Sequence, residues 1–193
     1  MSETLVPVIY GSVRTGRLGI RVARFIVAQL KAKGITAVLV DAKEKQLPVI
    51  DRMYKEFPSG QAPAVLQDLA TLYRSADGFL IVCGEYNHGL QPGLSNLLDY
   101  FLEEYYWRPA AIVSYSDGIW GGVRAAVQLR EVLAEMGMVS IPSTLPIPRA
   151  GGALSEAGEP LDPQWSARAG KFIDEFLWYI EALKERRKSG VPY

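Results

Sequence analysis

Short apolar runs that alternate with stretches of helical periodicity constrain this chain more than any other feature. Leu5 to Tyr10, Thr36 to Val40, Gly78 to Cys83, Pro109 to Tyr115 and Val139 to Ile141 read as strands. Between the first two, Gly19 to Lys33 places Ile20, Ala23, Ile26, Val27 and Leu30 at helical spacing. Pro63 to Arg74 does the same with Val65, Leu66, Leu69, Leu72 and Tyr73, as does Leu94 to Glu103 with Leu94, Leu97, Leu98 and Phe101. Val123 to Met136 is a further helix, stopped by Gly137. Asp162-Pro163, a capping side chain followed by proline, opens a last helix that runs to about Arg187. Asp41 to Gly60 and Ser143 to Leu161 carry prolines and glycines without periodicity and read as long connections.

The strand runs are apolar almost throughout, as strands are when both faces of a sheet are covered. Strands separated by helices argue for a parallel sheet between two helical layers. Five strands favour the flavodoxin-like order 2-1-3-4-5, because a six-stranded dinucleotide fold needs more chain. The chain is therefore expected to be α/β, a flavodoxin-like three-layer sandwich. Its 193 residues are expected to form one domain, 1–193.

Charge narrows the partners. Lysine plus arginine equals aspartate plus glutamate, 21 of each, so nothing favours nucleic acid or an anionic membrane. No apolar run reaches the roughly 18 residues of a membrane span, and no basic stretch before an apolar run suggests a signal peptide. Cys83 is the single cysteine and sits inside a strand run, which fits a buried thiol and a cytoplasmic setting. His88 is the single histidine, without a second histidine or a cysteine nearby, so no metal site is expected.

Three polar loops leave the carboxyl ends of strands one, three and four. The first, Gly11 to Arg17, offers Ser12, Arg14 and Arg17 just before a helix start, a combination suited to a phosphate. The second carries Glu85, Tyr86 and Asn87, where Asn87 tolerates positive φ and Tyr86 can stack on a flat ring. The third runs from Ser114 through Tyr115, Ser116 and Gly118 to Gly122. In the order 2-1-3-4-5 these three strands are neighbours, so their loops converge at the switch point, where open α/β sheets bind ligands. No catalytic side chain is singled out, since no serine lies in a nucleophile elbow.

At these loops the sequence resembles the NADPH-dependent FMN reductase family, which includes flavodoxin-like quinone and chromate reductases. The resemblance is carried by Gly11-Ser12-Val13-Arg14, by Glu85-Tyr86-Asn87 with Pro92-Gly93 and Asn96 to Tyr100, and by Ser114-Tyr115 with Gly118, Gly121 and Gly122. It implies that Ser12, Arg14, Arg17, Leu18 and Gly19 hold the FMN phosphate. It implies that Glu85, Tyr86 and Asn87 meet the ring through backbone and edge, with Ser114, Tyr115, Ser116 and Gly118 closing the other side. It also implies NADPH or NADH as donor and a small-molecule acceptor: a quinone, free flavin, an azo compound or a metal oxyanion. A homodimer or homotetramer is implied too, with Leu94, Leu98, Phe101 and Tyr105 as contact residues. Gly84 stands where the family usually has proline, and Arg17 and Gly19 where many members have serine and asparagine. The alternative from another class is a non-enzymatic FMN-binding redox sensor or regulatory partner.

Overall fold

The computed structural model describes residues 3–193. Five strands, β1 (Leu5–Tyr10), β2 (Thr36–Asp41), β3 (Phe79–Gly84), β4 (Pro109–Tyr115) and β5 (Val139–Ile147), form one sheet in the order β2-β1-β3-β4-β5. All four pairings are parallel, with Leu5 opposite Thr36, Val8 opposite Leu80 and Phe79 opposite Ala110. Every residue of β3 and β4 is buried, as the unbroken apolar runs require of central strands.

Helices cover both faces. The face holding α1 (Gly19–Ala32) and α7 (Gln164–Lys188) buries Phe25, Ile26 and Leu30 against Phe172, Ile173 and Phe176. The opposite face holds α3 (Ala64–Ser75), α4 (Pro92–Asp99) and α5 (Val123–Glu135), with Leu69, Leu97 and Leu129 among its buried side chains. Two short helices, α2 (Ala42–Lys45) and α6 (Ala150–Ala153), complete the set. Asp162 does cap the entry to α7, its Oδ1 accepting the Gln164 N–H at 2.8 Å.

Three elements depart from the sequence reading. β5 continues to Ile147 instead of ending at Ile141. Its prolines at 142 and 146 are tolerated because β5 is an edge strand, where a missing N–H on the open side costs no ladder bond. The connection from residue 41 to 60 is not wholly irregular: it holds α2 and a 3₁₀ turn, Tyr54–Glu56. Asn96 pins it, accepting the Ile50 N–H at 2.8 Å and donating to the Pro48 carbonyl at 2.7 Å.

The third departure concerns assembly. α4 stops at Asp99, and the chain turns so that Phe101 and Tyr105 join Tyr73 and Phe79 in an aromatic cluster with centroids 5.0 to 6.5 Å apart. Leu94, Leu98, Phe101 and Tyr105 are each at most 1 % exposed. All four belong to the core of the chain itself, so none is free to form a contact between copies. Large apolar side chains that do reach the surface include Ile119, Trp120 and Val127.

Candidate functional site

The loops after β1, β3 and β4 enclose a cleft of about 350 Å³ at the carboxyl edge of the sheet. Ser12, Arg14, Arg17, Leu18, Glu85, Tyr86, Tyr115 and Ser116 line it, joined by Thr15, Gly16, Gly84 and Asp117. Ser12 Oγ and Tyr86 Oη lie 3.2 Å apart and tie the first loop to the second. The Arg14 guanidinium carbon lies 5.7 Å from the centre of the Tyr86 ring, and Arg14 is otherwise exposed to the cleft mouth.

The first loop feeds directly into α1. Leu18 precedes the helix, no side chain caps it, and no acidic residue lies in the first turn. The Arg21 N–H donates to the Leu18 carbonyl at 3.0 Å, and the first amides of α1, those of Gly19 and Ile20, have no capping side chain, an arrangement suited to an anion in the cleft. Gly16, at φ 64°, has no neighbour within 4 Å of where a Cβ would stand, so the loop is open on its ligand side.

Arg17 plays a different part from the one its position suggests. Its guanidinium makes a two-pronged ion pair with Asp41 at the end of β2, with the Nη2–Oδ2 contact at 2.5 Å, and donates to the Ser12 carbonyl at 2.7 Å. Asp41 is fully buried, so its negative charge holds the Arg17 charge in place. Arg17 clamps the first loop, and Arg14 lines the cleft with no ion-pair partner among the described residues.

The second loop is a tight turn. Asn87 and His88 both have positive φ, 50° and 65°, and Tyr86 and Gly89 exchange two backbone hydrogen bonds of 3.0 and 2.8 Å. Two successive positive φ values define a type I′ turn. Asn87 thus sits at its exposed tip and does not line the cleft. The Glu85 carboxylate turns the other way, accepting the Arg124 and Ala125 amides at 3.1 and 3.4 Å. It caps α5, whose own preceding residue Gly122 has no side chain to do so.

Two further expected contacts on the cleft's other wall are not met. Ser114 is fully buried and donates its hydroxyl to the Gly121 carbonyl at 2.7 Å, so it shapes the third loop from within. The Gly118 carbonyl accepts from Arg149 N–H and from Ser116 Oγ, each at 3.1 Å, outside the cleft lining. Gly19 is likewise a packing position. A Cβ there would stand 2.0 Å from Tyr115 Cζ, and one on Gly84 2.7 Å from the same atom. Tyr115 slides between these two glycines and is held by Gln91, whose side chain reading the sequence did not single out.

Burial raises the Tyr10 phenol and carries that of Tyr115 far above the ordinary tyrosine range. Burial also pushes the Cys83 thiol up to about 12, with the nearby Glu85 charge adding to it. Among the described residues no group of three or more histidine, cysteine, aspartate and glutamate side chains could hold a metal ion. No helix among them is long and apolar enough to cross a membrane.

A doubly wound sheet with an uncapped helix start, an arginine and a tyrosine at its switch point defines an α/β protein with a ligand-binding cleft at the carboxyl edge of its sheet. The sequence of residues 4–152 matches the family described as NADPH-dependent FMN reductase. An NAD(P)H-dependent FMN reductase of a Nectria species is 30% identical over 201 residues, covering 95% of this chain and 96% of its own. The quinone reductase of Escherichia coli K12 is 32% identical over 138 residues, 69% of this chain and 71% of its own. In three dimensions the chain is similar to FerB, a flavoenzyme NAD(P)H:acceptor oxidoreductase from Paracoccus denitrificans, with a TM-score of 0.77 at 21% identity, over 93% of this chain and 98% of that one. The chain belongs to the NADPH-dependent FMN reductase family, and is an oxidoreductase that uses FMN with NAD(P)H as electron donor.

Proposed function

We propose that the chain carries two electrons from NAD(P)H to a small-molecule acceptor through FMN held in the three-loop cleft, with quinones as the first acceptor class. One relative is a quinone reductase, which supports that choice. Free flavin, azo compounds and metal oxyanions are the further acceptors. The observation that carries the reading is the convergence of the three loops on one cleft with an uncapped helix terminus at one end.

Each wall has a task in this scheme. The α1 amides, the Ser12 hydroxyl and Arg14 bind the phosphate. The Tyr86 side of the cleft and the backbone around Gly84 face the ring. Glu85 fixes the second loop against α5 and thereby fixes the backbone that meets the ring. FMN, when bound, supplies the redox chemistry, so the protein needs no acid or base of its own. The balance is NAD(P)H, a proton and a quinone giving NAD(P)⁺ and a hydroquinone.

The same reading places the protein in the cytoplasm as a homodimer or homotetramer. The face between copies would draw on exposed apolar residues such as Ile119, Trp120 and Val127 rather than on α4. Steady-state assay with 1,4-benzoquinone tests the proposal. One NADPH consumed per hydroquinone formed, dependent on added FMN, supports it. A protein that binds FMN but consumes no NADPH or NADH with any of the four acceptor classes contradicts it.

A further inference from the structure

Four charged side chains belong to the cleft lining: Arg14, Arg17, Glu85 and Asp117. Two are neutralised where they stand. Arg17 is paired with the buried Asp41, and the Glu85 carboxylate accepts the Arg124 and Ala125 amides with the Arg124 guanidinium 3.5 Å away. Arg14 and Asp117 have no ion-pair partner among the described residues. They come from different walls, Arg14 from the loop after β1 and Asp117 from the loop after β4, with β3 between those strands.

Asp117 is exposed, yet the backbone on each side of it is held. The Ser116 N–H donates to the Ile147 carbonyl at 3.3 Å, the Ala150 N–H to the Ser116 carbonyl at 3.1 Å, and the Arg149 N–H to the Gly118 carbonyl at 3.1 Å. Both neighbours of Asp117 are thus tied to the chain at the end of β5, which keeps Asp117 at the cleft wall. Arg149, the cation brought nearby, lies outside the cleft lining and forms no ion pair with Asp117. With FMN in the cleft the two unpaired charges part company. A phosphate group carries roughly −1.5 to −2, which more than cancels Arg14. Asp117 has no such counter-charge, so a second ligand entering beside the flavin meets a negative wall. Like charge set against a ligand is a common source of specificity.

We infer that Asp117 is a specificity-determining residue that disfavours anionic acceptors, so that uncharged quinones are taken ahead of sulfonated azo compounds and metal oxyanions. The inference rests on FMN occupying the cleft with its phosphate at Arg14, and it narrows the acceptor class of that site. The dihydronicotinamide ring of the donor is uncharged, so the reacting end of the donor passes the same wall.

The test uses FMN-loaded, oxidised full-length protein, which has no electrons to give, so quinone binding is read at equilibrium from the flavin absorbance. The probes are 1,4-naphthoquinone and its 2-sulfonate, which differ by one negative charge. The ratio of their affinities is compared among the parent, Asp117→Asn, Asp117→Lys and Asp117→Glu. The ratio of kcat/KM values with NADPH is the second reading. A unit charge at close range in water is worth roughly a factor of 5. At low salt Asp117→Asn should therefore shift both ratios roughly 5-fold toward the sulfonate, and Asp117→Lys roughly 25-fold. High salt should shrink both shifts. Asp117→Glu keeps the charge and should hold the parent ratio. A merely structural role would weaken both probes together and leave the ratio alone. Parental ratios in Asp117→Asn and Asp117→Lys overturn the inference, and so does a shift that salt does not diminish. A parent protein that takes up no FMN, or passes no electrons to either quinone, overturns the reading of the site and the inference with it. That result is distinguishable, because no ratio can then be formed.

Discussion

Arg17 and Asp41 are 24 residues apart in sequence and form a two-pronged ion pair across the mouth of β1 and β2. The pair is nearly dry, with the Arg17 side chain 13% exposed and that of Asp41 fully buried. Through its third bond, to the Ser12 carbonyl, Arg17 carries that rigidity into the loop after β1. The loop is thus pre-set by a buried ion pair, while Arg14 lines the cleft outside that pair.

Breaking such a pair from one side strands a buried charge and costs about 3–5 kcal/mol. Arg17→Ala is therefore expected to lower unfolding free energy by about that amount, measured by urea denaturation of the FMN-free protein. Because the whole loop loosens, FMN and riboflavin should both bind less tightly.

Arg14→Ala should behave differently. A charge-assisted hydrogen bond is worth about 1.5–3 kcal/mol, so FMN affinity should fall roughly 10- to 100-fold while riboflavin affinity and stability stay close to the parent. Fluorescence titration with the two flavins separates these cases. Equal losses for both flavins would remove Arg14 from the phosphate.

Gly84→Ala sets a methyl against the Tyr115 ring and the Gln91 amide, at 2.7 and 2.8 Å. Overpacking of this kind costs about 1–3 kcal/mol. Thermal unfolding should show that loss, and Tyr115→Ala in the same chain should recover part of it. An equal effect in both backgrounds would show that Tyr115 is not what the methyl meets.

Glu85 joins the β3 loop to the start of α5, so Glu85→Ala should cost about 1 kcal/mol as a lost helix cap. The more telling readout is amide hydrogen exchange. Arg124 and Ala125 should exchange faster, together with the turn around Asn87.

Cys83 gives a pH dependence with a definite sign. Its thiol ionises near the ordinary value of 9.0 in the unfolded chain and near 12 when folded. Between those values the folded state holds one proton more than the unfolded state, so stability falls as pH rises through that window. Iodoacetamide at pH 8 should leave the folded protein unlabelled and modify Cys83 on unfolding. Rapid labelling of the folded protein would contradict the burial that raises the thiol.

The parallel sheet was legible because β3 and β4 are apolar almost throughout, with Ser114 the polar exception in β4, as strands covered on both faces are. β5 was legible only as far as Ile141, because Pro142 argues against a strand unless its edge position is known. The three loops could be placed on one edge, but not which way each side chain faces. Ser114 and Tyr115 are adjacent, yet only Tyr115 reaches the cleft, since neighbouring strand residues point to opposite faces. The roles of Arg17 and Gln91 depend on Asp41 and on Gly84 with Tyr115, contacts set by tertiary packing and invisible to local pattern. Phe101 and Tyr105, expected at a contact between copies, are instead core residues, because their partners Tyr73 and Phe79 arrive from another helix and a strand.

The most direct measurement is the visible spectrum of the FMN-loaded protein under anaerobic conditions, first with NADPH and then with 1,4-benzoquinone. The account predicts a protein-bound flavin spectrum that bleaches on adding NADPH and returns in full with one equivalent of quinone. A bound flavin that neither NADPH nor NADH bleaches, or that quinone fails to restore, would contradict it.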